Sequence, residues 1–285
     1  MHKTYIIGSG YLSSKILKKF KNCEVLSSNQ FLLKIDKINK SKKKINLIIN
    51  AFYSARKLNK LESYKHFVKK SLLDISEVFD NINPKLITKI IYTSSSSVYG
   101  SIGGKIEVND KNNRYIYSSF KISAENLIKN FCNKNKIFVD VCRVFNLYGS
   151  KDGFSIISKL ADLKKGNNTI EINNNGESVR DFIHVDDVVS IYKKLLKKND
   201  SNIYDIGTGN GVKIKDIILN LKLPPKKVRF NKKNSHEIDI SIADNTNLIK
   251  KIKLTNFKKL EYFLKINALP RQKKLNSNYL ENTLI

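Results

Sequence analysis

The chain has 285 residues, enough to bury one large core or two smaller ones without disulfide bonds. Hydrophobic residues make up 41% of it, as in soluble globular proteins, and no apolar run reaches the ~18 residues of a membrane span. The formal charge of +28 comes mostly from lysines, which are spread in short runs typical of solvated faces. Such a surface attracts phosphorylated ligands, whereas a nucleic-acid partner is not predicted.

Three cysteines, Cys23, Cys132 and Cys142, have neither metal-ligand nor redox spacing. Their odd number favours a reducing compartment. The amino terminus leads straight into a predicted strand, which leaves no room for a signal peptide. We therefore expect a cytoplasmic protein without a membrane partner.

A glycine turn follows the first predicted strand, Thr4 to Ile7. The turn leads into a segment with apolar residues at helical spacing. Strand, glycine turn and helix are the context of a dinucleotide-binding fingerprint, in which the backbone approaches a pyrophosphate at the helix N-terminus. Ser13 replaces the third glycine of that fingerprint. The predicted cofactor contacts in this turn are Gly8, Gly10, Tyr11 and Leu12.

The second predicted strand, Cys23 to Leu26, ends without a carboxylate. An NAD enzyme usually has an acidic residue there for the ribose diol. Ser27-Ser28-Asn29 occupies that place, and Ser28 is predicted to contact the cofactor. NADP is therefore at least as well accommodated as NAD, with Lys34 as a candidate partner of the ribose phosphate.

A helix is predicted between Lys60 and Phe79. It follows a further buried strand, Ile45 to Asn50. Apolar residues of the helix are spaced for one face, and its aromatic residues, including Tyr64, are expected in the core.

A strand ending in serines precedes a tyrosine and a lysine at helical spacing. Ile90 to Tyr92 are β-branched and aromatic, and a run of hydroxyl side chains follows them. Ligands of open parallel sheets bind at the carboxyl ends of the strands, so these hydroxyls would face a ligand. Tyr117 and Lys121 are four residues apart, which places phenol and ammonium on one helix face.

This spacing has a chemical use. A tyrosine hydroxyl titrates near ~10, too high for a base at neutral pH. A nearby ammonium lowers that pKa, and a positively charged nicotinamide ring acts in the same direction. Tyr117 would then accept a proton from a substrate alcohol as hydride leaves the carbon, while a serine holds the oxygen. The alternative is a serine-rich turn followed by a solvated tyrosine–lysine pair.

The stretch resembles the extended short-chain dehydrogenase/reductases, in particular the nucleotide-sugar epimerase/dehydratase group. Aligned on Val98-Tyr99-Gly100, the resemblance implies that the catalytic residues are Ser95, Tyr117 and Lys121. The family's lysine also bonds the nicotinamide ribose. The resemblance further implies cofactor contacts for Asp36, near the adenine, and for the loop that begins at Asn50-Ala51.

Two further segments resemble family motifs that bind substrate. Arg143 to Gly149 resembles Arg-x-Phe-Asn-x-Tyr-Gly, whose asparagine, here Asn146, contacts the nucleotide-sugar. Val179 to Asp187 resembles Val-Arg-Asp-Phe-x-His-Val-x-Asp, whose arginine, here Arg180, binds the diphosphate through a fixed fork of donors. A second phosphate-binding arginine of the family is missing from its usual place, so Arg229 is the candidate substitute.

His184, Asp186 and Asp187 raise the alternative of a metal site. Their spacing fits no standard ligand set, and no partner cluster is close in sequence, so no metal is predicted. The resemblance gives this part of the motif a mainly structural role.

We predict an α/β fold: a Rossmann-type doubly wound parallel sheet with a smaller C-terminal substrate-binding lobe. The NAD(P)-binding domain would comprise residues 1–150 plus 181–211. The substrate lobe would comprise residues 151–180 plus 212–285.

The resemblance implies hydride transfer at a sugar carbon of a nucleoside-diphosphate sugar, with NAD or NADP as cofactor. A 4-epimerase, which keeps its cofactor bound, is ranked slightly ahead of an NADPH-dependent 4-ketoreductase, which the missing acidic ribose ligand favours. A 4,6-dehydratase is disfavoured because Ser96-Ser97 replaces the family's Asp-Glu pair. A non-catalytic dinucleotide-fold protein with a basic surface is the rival from another class. We expect a homodimer, and the sugar and nucleotide are not identified.

Overall fold

A computed structural model describes residues 2–50, 64–100, 113–150, 152–163, 168–232, 238–254 and 256–267. The chain divides into two compact units. The first comprises Met1–Val144, Val188–Ile206 and Asn245–Leu254, and the second comprises Phe145–Asp187, Gly207–Asp244 and Thr255–Ile285. Residues 245–254, assigned above to the substrate lobe, therefore pack with the first unit.

A six-stranded parallel sheet forms the centre of the first unit. The chain leaves the first strand for one neighbour and then returns to its other side, so the strand order reverses there. In open sheets of this kind, ligands bind at the carboxyl ends of the strands beside that reversal. The prediction of an α/β fold with a parallel sheet is confirmed. In order across the sheet, the strands are β2 (Cys23–Leu26), β1 (Lys3–Ile7), β3 (Ile45–Ile49), β4 (Ile87–Ser95), β5 (Phe138–Val144) and β9 (Asn202–Ile206).

Helices cover this sheet because their apolar side chains recur at helical spacing. Three of them share one buried cluster with the strands, and within it the rings of Phe79 and Phe131 stack with centroids 4.0 Å apart. These three are α2 (Ser28–Ser41), α4 (Asp74–Asn81) and α5 (Asn113–Asn135). The other helices of this unit are α1 (Tyr11–Lys19), α3 (Tyr64–Val68), most of α7 (Val185–Leu195), and α9 (Thr246–Ile252).

The helix predicted before Phe79 is interrupted by a π-helical segment, Lys69–Leu73. One turn with i to i+5 hydrogen bonds contains more residues than an α-helical turn and rotates the apolar face. Tyr64 is therefore 69% exposed, and Phe67 is buried instead. The prediction that Tyr64 belongs to the core is wrong for this reason.

The second unit has its own core and its own small sheets. β8 (Val179–His184) pairs with β10 (Gly211–Lys213), β12 (Ile240–Ser241) and β6 (Asn146–Tyr148), while β7 (Ile170–Ile172) pairs with β11 (Val228–Phe230). Its helices are α6 (Ile156–Leu163), α8 (Ile214–Asn220) and α10 (Leu260–Asn267). Within the described ranges, no helix has the length and apolar character needed to cross a membrane.

Candidate active site

The glycine turn joins β1 to α1 at the point where the strand order reverses. Gly8 has a φ of 110°, which favours glycine, and its N–H donates to the Leu26 carbonyl oxygen at 2.7 Å. Gly10 caps α1, and a Cβ added there would meet nothing within 4 Å. Within the described part of the chain, no side chain caps this helix, and its first turn holds no acidic residue. The turn therefore fits a pyrophosphate, which a helix N-terminus binds through exposed N–H groups.

Ser13, which replaces the third glycine, bonds to Asn50, the residue that follows β3. Ser13 is buried, and its hydroxyl accepts a hydrogen bond of 2.9 Å from the Asn50 side-chain amide. The Thr93 hydroxyl donates to the Asn50 side-chain oxygen Oδ1 and lies 2.8 Å from the Tyr192 hydroxyl. These contacts tie the glycine turn to the end of β4. Sequence reasoning missed them because the residues are far apart along the chain.

Two side chains that were predicted to contact the cofactor after β2 bond to protein carboxylates instead. Ser28 is buried in the first turn of α2, and its hydroxyl bonds to the buried Asp74 carboxylate. Lys34, the candidate for a ribose phosphate, forms an ion pair with Glu24. Both side chains therefore have protein partners at the places where cofactor contacts are predicted.

Asp36 lies on the exposed face of α2, eight residues after the start of that helix. A helix rises ~1.5 Å per residue, so Asp36 lies ~12 Å along the axis from the first residue of α2. The adenine contact of Asp36 stays a prediction. Tyr11 begins α1 and Leu12 is part of its buried face. Ala51 falls outside the described residues.

The three predicted catalytic side chains come together at the carboxyl end of β4. Ser95 is the last residue of that strand and forms a hydrogen bond with Tyr117 of α5. The Lys121 ammonium donates to the Thr93 carbonyl oxygen at 2.9 Å. The same nitrogen lies 5.8 Å from the centroid of the Tyr117 ring and 4.9 Å from that of Tyr92. Strand end and helix face thus hold a hydroxyl, a phenol and an ammonium beside one another.

Burial dominates the electrostatics of this group. It raises the pKa of Tyr117 to about 12, although the hydrogen bond from Ser95 lowers it. Burial also lowers the pKa of Lys121 to about 7, against the opposing effect of the Glu125 carboxylate. The pKa of Tyr117 is therefore raised, not lowered as predicted, because burial makes the charged form of the phenol costly.

The predicted substrate-binding residues lie in the second unit. The Asn146 side-chain amide donates to the Asp181 carbonyl oxygen at 2.9 Å, and thereby supports the pairing of β6 with β8. The Arg180 guanidinium donates to the carbonyl oxygens of Val179 and Asp239, at 2.9 and 3.3 Å. Arg229 is exposed on β11, in register with Glu171 of β7.

The carboxylate of Asp181, next to Arg180, joins three main-chain segments of the second unit. Asp181 is fully buried and accepts hydrogen bonds from the main-chain N–H groups of Thr208, Gly209 and Ala243, at 2.9, 2.9 and 3.2 Å. A Cβ on Gly207 would lie 2.5 Å from this carboxylate. The strand that carries Arg180 is therefore fixed from several directions.

His184 packs among aromatic rings of the second unit. Its ring lies 5.2 Å from that of Tyr148 and 5.6 Å from that of Phe263, and its Nδ1 accepts from the Asp186 N–H at 3.2 Å. Among the residues that the structure describes, no group of three His, Cys, Asp or Glu side chains is arranged to hold a metal ion.

A family model shows where this arrangement belongs. The NAD dependent epimerase/dehydratase family matches residues 13–207, more than half of the chain. The chain belongs to this family. The resemblance inferred from the strand-end serines and the tyrosine–lysine spacing is confirmed.

Individual relatives in the family differ in reaction. The chain is 30% identical over 184 residues to a dTDP-D-glucose 4,6-dehydratase of Dictyostelium discoideum, covering 59% of this chain and 42% of that one. It is 31% identical over 145 residues to an ADP-L-glycero-D-manno-heptose-6-epimerase of Brachyspira hyodysenteriae, covering 47% and 46%. The matches thus span less than half the length of both relatives.

The fold is shared with solved enzymes. A UDP-glucose 4-epimerase from Thermotoga maritima, solved with UDP-glucose, superposes with a TM-score of 0.75 at 18% identity, covering 99% of this chain and all of that one. At this level of identity the likeness establishes the fold.

Proposed function

We propose that the protein is an NAD(P)-dependent nucleotide-sugar epimerase, acting at C4 of a nucleoside-diphosphate sugar. The observation that carries the proposal is the grouping of Ser95, Tyr117 and Lys121 at the end of β4 in a member of this family. The fold shared with a UDP-glucose 4-epimerase supports it.

In the proposed mechanism, Tyr117 as phenolate accepts the proton of the sugar hydroxyl while the Ser95 hydroxyl orients the same oxygen. Tyr117 would return the proton to the same oxygen when the sugar carbon is reduced again, with the configuration at that carbon inverted. Lys121 would stabilise the phenolate and would help to hold the nicotinamide ribose when the cofactor is bound. A bound oxidised nicotinamide supplies the hydride acceptor and a positive charge, which opposes the effect of burial on the pKa of Tyr117.

The remaining predicted contacts are part of the proposal. Gly8 and Gly10 would admit the cofactor pyrophosphate to the N-terminus of α1. Arg180 would bind the substrate diphosphate, with Asn146 and Arg229 as further contacts. A homodimer is proposed as the assembly, and light scattering tests it.

A 4-ketoreductase is the alternative within the family. The absence of a carboxylate at the end of β2 favours it, because that residue normally selects NAD. The 4,6-dehydratase reaction of one relative is disfavoured by Ser96-Ser97, which offers no acid pair for eliminating water.

The cofactor distinguishes these possibilities. The absorbance and fluorescence of bound nicotinamide are measured on the purified protein. NADH or NADPH is then added, and the quenching of fluorescence is monitored. Cofactor that co-purifies and resists dialysis supports the epimerase, and an empty protein that binds NADPH alone supports the reductase. If neither nucleotide binds, the non-catalytic alternative replaces both.

Tyr117→Phe tests the proposed base. With a panel of UDP-, dTDP-, CDP- and GDP-sugars as probes, we expect turnover to fall by roughly 10²- to 10⁴-fold, while NADH and NADPH affinity changes little. Tyr115→Phe, two residues earlier on the same helix, is the matched control and should keep wild-type turnover. Equal turnover in wild type and Tyr117→Phe would remove the tyrosine from the mechanism.

A further inference from the structure

Asn50 contacts the chain on both sides of the glycine turn. Its main-chain N–H donates to the Ile7 carbonyl oxygen at 2.8 Å, directly before Gly8. Its side-chain amide donates through Nδ2 to the Ser13 hydroxyl at 2.9 Å, in the first turn of α1. Asn50 therefore holds the turn both where the strand leads into it and where the helix follows it.

The hydroxyl that accepts this hydrogen bond is removed from water. Ser13 is fully buried, and a buried oxygen that loses a donor is left with a desolvation cost that nothing offsets. A glycine, which the fingerprint has at this position, carries no oxygen and could not accept the bond. The contact with Asn50 is therefore a consequence of the serine that this chain has in place of glycine.

Thr93 joins the other end of the Asn50 amide to Lys121. Its hydroxyl donates to Asn50 Oδ1, and its carbonyl oxygen accepts from the Lys121 ammonium at 2.9 Å. The Tyr192 hydroxyl of α7 lies 2.8 Å from the Thr93 hydroxyl and helps to fix its position. A single residue of β4 thus contacts the residue that holds the glycine turn and the lysine of the proposed catalytic set.

Strand pairing alone does not reach this part of α1. β3 pairs with β1 and with β4 up to Ile49, and Asn50 follows that last paired residue. Ser13 lies past the end of β1, in the next element of the chain. The Asn50 side chain therefore extends the order of the sheet to the first turn of the helix, where a pyrophosphate is proposed to bind.

We propose that Asn50 is a positioning residue that keeps the glycine turn in register with the main chain that binds Lys121. A dinucleotide that spans the turn and the lysine needs them at a fixed separation, because its two halves bind as one linked ligand. The inference rests on the proposed function for the identity of this ligand. Its test includes a measurement without any ligand, so the two proposals can fail separately.

Asn50→Leu removes both hydrogen bonds of the side chain and keeps its approximate size. The probes are NADH and NADPH, which span the turn and the lysine, and ADP, which has the diphosphate but no nicotinamide ribose. We expect the affinity for the tighter-binding dinucleotide to fall about tenfold and the affinity for ADP to fall by less. A side chain that only stabilises the fold would leave both affinities of the folded protein unchanged. Dinucleotide affinity that stays, or that falls no more than the affinity for ADP, would overturn the proposal.

Three further variants separate the hydrogen bonds from packing. Thr93→Val removes the donor to Asn50 and should lower dinucleotide affinity, whereas Thr93→Ser keeps the hydroxyl and should bind as wild type does. Thr4→Val is the matched control, because Thr4 is fully buried on β1 and its hydroxyl has no hydrogen-bond partner among the described residues. Equal affinities in Thr93→Val and Thr93→Ser, or a fall of the same size in Thr4→Val, would overturn the proposal even if Asn50→Leu fails to fold.

Hydrogen exchange in the ligand-free protein tests the contact itself. The Ser14 N–H, which bonds to the Gly10 carbonyl oxygen at 3.1 Å, reports on the first turn of α1. Its exchange should quicken in Asn50→Leu, or in Thr93→Val if the first variant does not fold, and should stay at the wild-type rate in Thr4→Val. Unchanged exchange would overturn the proposal. If wild type binds neither dinucleotide, the proposed function fails, and the exchange rate alone decides whether Asn50 fixes the turn.

Discussion

Two buried lysines lie at opposite ends of β4 and have different partners. Lys89, near the start of the strand, is 1% exposed, and its ammonium lies 2.6 Å from Asp140 Oδ2 on β5. It also donates to the carbonyl oxygens of Lys198 and Asp200, at 2.9 and 3.2 Å. Lys121 reaches the other end of β4, where it donates to a carbonyl oxygen and lies over an aromatic ring.

The difference separates a charge that holds strands together from one that belongs to the proposed catalytic group. A carboxylate in direct contact neutralises Lys89, so its charge contributes to holding β4 against β5 and the turn before β9. The groups in contact with Lys121 are mainly neutral, and burial lowers its pKa to about 7. Its proton is therefore easily lost near neutral pH, which fits the role proposed for Lys121 beside Tyr117. Substitutions at the two lysines should consequently affect different quantities.

The largest effect on stability is expected for Lys89→Met. The substitution leaves Asp140 buried without its cation, and breaking a buried pair in this way typically costs about 3–5 kcal/mol. Urea unfolding measures the loss. The double variant Lys89→Met/Asp140→Leu should recover most of it, because no charge then remains buried. If Lys89→Met alone is as stable as wild type, the pair does not hold the strands together.

Lys121→Met should change how stability depends on pH. The pKa of Lys121 is depressed in the folded protein, so the stability that wild type loses through this group is restored as pH rises above about 7. Relative to Lys121→Met, wild type should gain roughly 2 kcal/mol in unfolding free energy between pH 7 and pH 9. A difference between the two proteins that does not vary over this range would contradict the burial of a charged Lys121.

The smallest effect is expected at the edge of the Lys89 cluster, formed by Lys89, Asp140, Asp200 and Lys251. Lys251 of α9 pairs with Asp200, and both side chains are partly exposed. Lys251→Ala should therefore cost less than about 1 kcal/mol in urea unfolding, because solvent screens such pairs. A loss as large as that of Lys89→Met would mean that the whole cluster acts as one unit.

Sequence reasoning succeeded where the relevant residues are close together along the chain. The glycine turn, the serines after β4 and the spacing of Tyr117 and Lys121 all led to the correct fold and family. The side-chain contacts of Asn50 could not be assigned, because only the pairing of β3 with β1 and β4 brings Ser13 and Thr93 beside it.

One local signal was overlooked, and one regular pattern misled. The start of α2 carries a capping box, with Ser27 and Gln30 bonded to each other's main chain, and this signal favours the helix in which Asp36 lies. The π-helical segment after α3 has no comparable signal, so the regular spacing placed Tyr64 in the core. A helix start is marked by capping residues that the sequence shows, whereas a π-helical segment depends on packing in the folded protein.

The position of β9 in the sequence delays completion of the parallel sheet during synthesis on the ribosome. This strand completes the parallel sheet beside β5, yet the chain between them, residues 145–201, belongs mostly to the second unit. At ordinary translation speeds, those residues take roughly 3 to 11 seconds to synthesise. Throughout that interval β5 is an open sheet edge in the nascent chain, available for pairing with a neighbouring polypeptide. A chaperone that protects β5 until Ile206 emerges would therefore raise the yield of folded protein.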